Sequence, residues 1–192
     1  MALFRSDYAD GGDELRFGQV CLRPPQIADY DQWLRLRANS QNFLHPWEPK
    51  WAKDELTHSA YKRRVRRHHE DRLRSLAYAF LVFRTCDDQL VGGCNLSNVR
   101  LGVAQSASLG YWVGKPFQRQ GYTHDAVEAV ANFCFDELRL HRLEAACLPH
   151  NLASRKLLEK CNFKEEGLAR EYLKINDIWA DHVLFARITT KR

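Results

Sequence analysis

Six consecutive residues, Gln118-Arg119-Gln120-Gly121-Tyr122-Thr123, stand where a β-rich run gives way to an amphipathic helical pattern. The first amides of a helix have no intrahelical acceptor, and the aligned peptide dipoles leave partial positive charge at that end. An anion can be held there if the backbone comes close. Gly121 permits the approach, Gln118, Arg119 and Gln120 add donors and a charge, and Thr123 is suited to cap the helix. An ordinary strand-to-helix turn also uses glycine, so this residue alone does not decide the matter. The three-glycine dinucleotide fingerprint and the Gly-Lys-Ser/Thr phosphate loop are both missing, which disfavours a nicotinamide or nucleoside-triphosphate enzyme.

Other polar groups bear on chemistry or are excluded from it. Asn151 and Ser154, three apart, share one face of a short helical segment. Cys21, Cys86, Cys94, Cys134, Cys147 and Cys161 are scattered without a C-x-x-C pair, so neither a zinc site nor a disulfide framework is expected, and no metal. His141 and His182 adjoin strands and read as core or supporting groups. Asp181 and His182, as strand neighbours, face opposite ways and make no dyad. The segment from Lys62 to Arg74 gathers nine basic or histidine side chains. Such a patch attracts phosphates of RNA, a coenzyme or a ribosome surface, or else it is a solvated helix face with Glu70 and Asp71 as counter-charges. No nucleic-acid fold motif accompanies it.

Positioning these groups requires a framework, and 192 residues with 45 % apolar and 28 % charged content suffice for one globular domain. Residues 1–12, ending in Gly11-Gly12, read as a loose tail, and residues 13–192 as the domain. No apolar run approaches the ~20 residues of a membrane span, and the first residues lack a signal-peptide pattern, which points to the cytoplasm. Strand periodicity runs over 14–22. Helical spacing follows over 27–39, and a long basic helix over 54–76 with Tyr61, Val65, Leu73 and Leu76 inward. Residues 78–113 form three antiparallel strands, 123–138 an amphipathic helix, 142–148 a strand and 151–160 a short helix. Two strands joined at Asn176-Asp177 finish the chain. The expected fold is α/β: a mixed, mostly antiparallel central sheet flanked by helices on both faces.

Taken together, these segments resemble the GNAT acetyltransferase superfamily, in particular its RimJ/RimL branch. Gln118 to Thr123 is similar to that family's Q/R-x-x-G-x-G/A coenzyme motif, Thr123 replacing its small last residue. Leu109-Gly110-Tyr111-Trp112-Val113-Gly114 looks like the splayed strand that lends backbone groups to pantetheine, and the resemblance implies that Trp112 and Val113 flank the thioester. Asn151 to Lys160 resembles the N-x-x-S helix, whose Asn would bond the pantetheine amides. Asn162-Phe163-Lys164-Glu165-Glu166-Gly167 is similar to G-F-x-x-E-G, with Asn162 able to supply the left-handed helix stop. Phe43 to Pro49 looks like the N-terminal loop of RimJ-type members. The matches span residues 43–188.

The resemblance implies acetyl transfer from acetyl-CoA to a primary amine, with a protein N-terminal α-amine as leading acceptor. Many relatives carry a tyrosine acid seven residues after the helix Asn; here Leu158 stands there and cannot donate. Ser154 therefore inherits the role of protonating or hydrogen-bonding the leaving sulfur, or else only ties down coenzyme. Glu171, in Arg170-Glu171-Tyr172-Leu173, matches the glutamate that acts through water as base, provided burial tunes it. Glu48 beside Trp47 is the second choice, or a pair of groups that orients the amine. A small amine such as a polyamine or aminoglycoside is the alternative acceptor, requiring an acidic mouth that only Glu48, Glu165, Glu166 and Glu171 could supply. A non-catalytic acyl-CoA-binding module, docking RNA through residues 62–74, is the reading from a different class. The chain is expected as a monomer or a homodimer.

Overall fold

The computed structural model describes residues 14–189; the tail expected at 1–12 lies outside them. The run expected as one strand is a tight hairpin, β1 (Leu15–Phe17) paired antiparallel with β2 (Val20–Arg23). Apolar alternation continues through the two-residue turn, so the pattern hides the reversal; only Gly18, at φ 53°, marks it. Helix α1 (Tyr30–Leu44) outruns its expected end and turns Trp33, Leu36, Arg37, Ser40 and Leu44 inward. Helix α2 (His58–Leu73) starts at Thr57, whose hydroxyl accepts the Ala60 amide. Its inner face starts at Tyr61 (1 % exposed) and continues through half-buried Val65, His68 and Arg72. Leu73 and Leu76 are exposed, contrary to expectation. Leu73 lies about 100° round the helix from Arg72, and Ser75, at φ 54°, has ended the helix before Leu76.

Strands β3 (Tyr78–Arg84), β4 (Gln89–Arg100) and β5 (Ser106–Val113) form the expected meander. Helix α3 (Tyr122–Asn132) continues as a π turn to Glu137, burying Ala126, Val127, Val130, Ala131 and Cys134. Then come β6 (Arg142–Cys147), α4 (Leu152–Lys160), β7 (Lys164–Ile175) and β8 (Ile178–Ile188). Asn176 and Asp177, at φ 47° and 66°, make the β7–β8 turn in the left-handed region these side chains tolerate. The sheet order is β1-β2-β3-β4-β5-β6-β8-β7. Alternation along β3 divides the core: Tyr78, Phe80 and Val82 face the α3–α4 layer, Leu81 and Phe83 the cluster built on Trp33, Leu36 and Tyr61. Helices cover both faces.

One junction in the sheet is parallel and short. β5 pairs with β6 only over Ser106–Ser108 opposite Arg142–Glu144. Beyond that, Leu109 to Val113 follow β4 while Ala145 to Cys147 follow β8. A wedge opens between β5 and β6.

His68 lies on the inner face of α2, and burial, with Arg67 and Arg64 nearby, pushes its imidazole down to about 4. The unfolded chain, with its imidazole near 6.5, binds the extra proton first, so this group removes stability as pH falls from about 6.5 towards 4. Replacing His68 with Gln is expected to reduce the loss of melting temperature between pH 7 and pH 5. An unchanged loss in thermal melts would contradict this.

Candidate active site

After β5 the chain makes one 3-10 turn, Lys115–Phe117, pinned where the Lys115 amide donates to Ser40 Oγ at 2.9 Å. Gln118 Nε2 donates to the Lys115 carbonyl at 3.0 Å and Gln120 Nε2 to the Pro116 carbonyl at 2.8 Å. These two side chains brace the loop, a use the sequence reading did not foresee. Arg119 and Gly121 both adopt left-handed backbone, at φ 59° and 91°. Gly121 is itself the helix cap, so α3 begins one residue earlier than expected and Thr123 sits inside its first turn. The reason is conformational: φ 91° suits glycine and strains any L side chain. A Cβ there would meet only Gln19 Nε2, at 3.8 Å, so the space over Gly121 is open. The first helical bond runs from the Asp125 amide to the Gly121 carbonyl at 3.1 Å. The amides of Gly121, Tyr122 and Thr123 therefore precede the first intrahelical donor, Asp125, and have no carbonyl one turn back to bond.

The wedge leads towards this helix head. Trp112, Val113, Tyr122 and Thr123 border one small void of about 10 Å³ over Gly92 and Gly93, so the end of β5 and the head of α3 are neighbours. A Cβ on Gly93 would lie 2.4 Å from Trp112 Nε1, and one on Gly92 2.3 Å from the Trp112 carbonyl. The glycine pair therefore allows Trp112 to lie close against β4, rather than merely weakening that strand.

On the α1 side, Arg37 is buried between the rings of Trp51 and Trp112, 4.3 and 4.8 Å from their centres. It holds both oxygens of Glu48, at 2.8 and 2.7 Å, and Trp51 Nε1 donates to the same carboxylate at 2.8 Å. Three donors converge on Glu48, so it is tied into the framework and poorly placed to act as base. Arg37 and Trp51 were missed as site residues. The signal available was a charged residue at an inward helical position, one turn after Trp33. Trp47 is half-buried, its ring 5.5 Å from that of His150.

Across the wedge, the Asn151 side-chain oxygen caps α4 by accepting the Ser154 amide at 3.1 Å, which leaves its amide nitrogen for other partners. The Ser154 hydroxyl lies 2.6 Å from the Tyr111 hydroxyl of β5. Burial pushes the Tyr111 phenol up, against a smaller opposing effect of Ser154. Tyr111 is a third residue the sequence reading passed over. Leu158 is fully buried.

Glu171 is exposed, at φ 46°, where β7 and β8 lose register between Ala169 and Leu173. Its amide donates to Asp181 Oδ1 at 2.9 Å. The burial expected to tune this carboxylate is absent. His182 is buried with Nδ1 2.9 Å from the Ala180 carbonyl, a core residue as expected. The β7–β8 tip touches the Trp47–Trp51 segment through the Asn176 amide on the Glu48 carbonyl and a Lys50–Asp177 ion pair. Among the described residues, the ligand atoms of His124, Glu128 and Cys161 lie within 4.8 Å of one another. Glu128 is already paired with Arg187 at 2.8 Å, and burial pushes the Cys161 thiol up to about 12, away from the thiolate a metal needs.

Residues 19–164 match the acetyltransferase (GNAT) domain. The chain is 34 % identical over 167 residues to the probable N-acetyltransferase YjcK of Bacillus subtilis (strain 168), spanning 87 % of this chain and 92 % of that one. It is 33 % identical over 166 residues to the [ribosomal protein uS5]-alanine N-acetyltransferase of Escherichia coli (strain K12), spanning 85 % of each. Mycobacterium smegmatis RimJ, solved in complex with CoA-disulfide, aligns with a TM-score of 0.85 at 32 % identity, over 92 % of this chain and 86 % of that one. A split parallel junction opening onto a glycine-capped helix thus has its class, and the chain belongs to the GNAT acetyltransferases. Within them it is of the RimJ/RimL type, an enzyme whose acetyl donor is acetyl-CoA.

Replacing Gly121 with Val places a β-branched residue at φ 91° and fills the open space over the loop. The expected result is at least a tenfold loss of acetyl-CoA affinity by calorimetry, the size of one or two charge-assisted hydrogen bonds. A folded variant that binds acetyl-CoA normally would contradict the placement.

Proposed function

We propose that the enzyme acetylates the N-terminal α-amine of a protein, of the ribosomal-protein type. The relative from E. coli is named for such a reaction on uS5. The observation that carries the reading is the state of the acidic groups. Glu48 is held by Arg37, Glu165 by Arg155 and Glu166 by Arg142, which leaves exposed Glu171 as the free carboxylate of the four considered. An exposed carboxylate is a weak base. At pH 7 roughly a tenth of an α-amine with pKa ~7.7–8.0 is already neutral, against less than a thousandth of a lysine near ~10.4. An α-amine therefore asks only for a water-mediated proton acceptor. A polyamine or aminoglycoside would ask for an acidic mouth, and three of the four carboxylates that could form it are occupied by arginines.

In this reading the amides of Gly121, Tyr122 and Thr123 take the coenzyme diphosphate, Arg119 adding charge while Gln118 and Gln120 hold the loop's shape. The free side of β5 at Trp112 and Val113 takes the pantetheine arm, with the Asn151 amide nitrogen opposite. The Ser154 hydroxyl stands at the leaving sulfur. Glu171 receives the amine proton through water, and Trp47 and Glu48 shape the acceptor side. The exposed basic residues of α2, with Lys62, Arg66 and His69 bounding a cavity of about 490 Å³ beside Pro24 and Pro25, suit contact with an acidic surface such as the ribosome. That substrate places the enzyme in the cytoplasm; no helix among the described residues is long and apolar enough to cross a membrane.

Thiol release from acetyl-CoA, followed with peptides bearing free or blocked α-amines, tests the assignment. Turnover is expected only with the free α-amine. Glu171→Gln is expected to lower kcat about tenfold at pH 7, within the range for general-base catalysis, and less above pH 8, where the amine is largely neutral unaided. Equal turnover of α-blocked, lysine-containing peptides would overturn the acceptor assignment, and an unchanged rate in Glu171→Gln would remove that residue.

A further inference from the structure

The pair of hydroxyls across the wedge has an internal polarity, and it deepens the reading in which Ser154 serves the leaving sulfur. Two hydroxyls 2.6 Å apart share one hydrogen, and either oxygen could supply it on distance alone. Their surroundings differ. Tyr111 belongs to β5 and packs against the α3–α4 core, and beyond Ser154 its phenol has Cys147, Cys94 and Cys161 near it, Cys147 also standing beside the Ser154 hydroxyl. Thiols are weak acceptors. If Ser154 gave its hydrogen to Tyr111, the phenol hydrogen would be left without a good partner in a largely apolar setting, at the cost of a buried unsatisfied donor. If Tyr111 donates, its own hydrogen is satisfied and the Ser154 hydrogen is released for another acceptor.

Two further features keep Ser154 in place. Its amide is locked by the Asn151 cap, so its Cα sits at the first turn of α4 facing the wedge. Its side chain is only half-buried, at the opening where β5 and β6 part.

We propose that Tyr111 is a positioning residue for acetyl transfer: its phenol donates to Ser154 Oγ and so directs the Ser154 hydrogen at the coenzyme sulfur. As the C–N bond forms and the C–S bond breaks, the sulfur leaves with the bonding electron pair and receives a hydrogen bond from Ser154. The proton lost by the amine goes to water or Glu171. Tyr111 keeps its proton throughout, held by the burial that raises its phenol.

The test is a double-mutant cycle on kcat and KM with Tyr111→Phe and Ser154→Ala, backed by thermal melts and acetyl-CoA affinity. Tyr111→Phe keeps the ring that packs on the core and removes only the hydroxyl. The expected result is a fall in kcat of about tenfold, the weight of one hydrogen bond, with KM for acetyl-CoA within about twofold of the parent. In a Ser154→Ala background the same change is expected to do nothing further, whereas in Ser154→Thr, which retains a hydroxyl, it is expected to cost the same factor again. An unchanged kcat in Tyr111→Phe, or an equal loss with and without the Ser154 hydroxyl, would overturn the proposal. An unchanged kcat in Ser154→Ala would instead overturn the role given to Ser154 itself, so the two failures are separable.

Discussion

Backbone amides without partners are costly to keep away from water, and this fold maintains two groups of them side by side. One is the head of α3, where the amides of Gly121, Tyr122 and Thr123 precede the first helical donor, Asp125. The other is the free side of β5 from Leu109 to Val113, abandoned when β6 diverges after three paired residues. An extended ligand with amides along its arm and a diphosphate at its end satisfies both. That shape is the coenzyme's, and this match is the basis for proposing the diphosphate at the head of α3 and the pantetheine arm along β5.

Keeping such groups open requires rigidity around them. The Arg37 guanidinium, buried between two indoles and held bidentately by Glu48, joins α1, the Trp47–Trp51 segment and β5 at one point. A pair this buried contributes little net stability compared with an apolar replacement, yet breaking one side of it costs roughly 3–5 kcal/mol. Its value is therefore geometric: it sets where Trp112 lies, with Gly92 and Gly93 leaving the room. On the opposite side of the wedge the Asn151 cap and the Tyr111–Ser154 contact do the same for α4.

Much of this was legible in the residue pattern, for identifiable reasons. The meander, the α3 stripe and the Asn176-Asp177 turn rest on local periodicity and turn chemistry, which carry over directly into structure. Asn162 takes the left-handed stop at φ 61° that its side chain suits. The β1–β2 reversal was hidden because alternation continues across a two-residue turn, and the phase of α2 was misjudged because His68 and Arg72 hold inner positions that Leu73 was expected to fill. Among site residues, the motif around Gly121 was visible because glycine is the response to a local constraint. Glu48 was read as a second-choice base or a group that orients the amine because its partner Arg37 lies eleven residues away. Tyr111 was passed over because its importance depends on meeting Ser154 across the sheet, a contact that no local pattern records.

The claim on which the account rests is that the amides at Gly121, Tyr122 and Thr123 seat the diphosphate. A crystal structure of the enzyme grown with coenzyme A measures this directly. The account predicts diphosphate oxygens at hydrogen-bonding distance, about 2.7–3.2 Å, from those three nitrogens, with the pantetheine arm along the free side of β5. A well-ordered coenzyme whose diphosphate lies away from the head of α3 would contradict it.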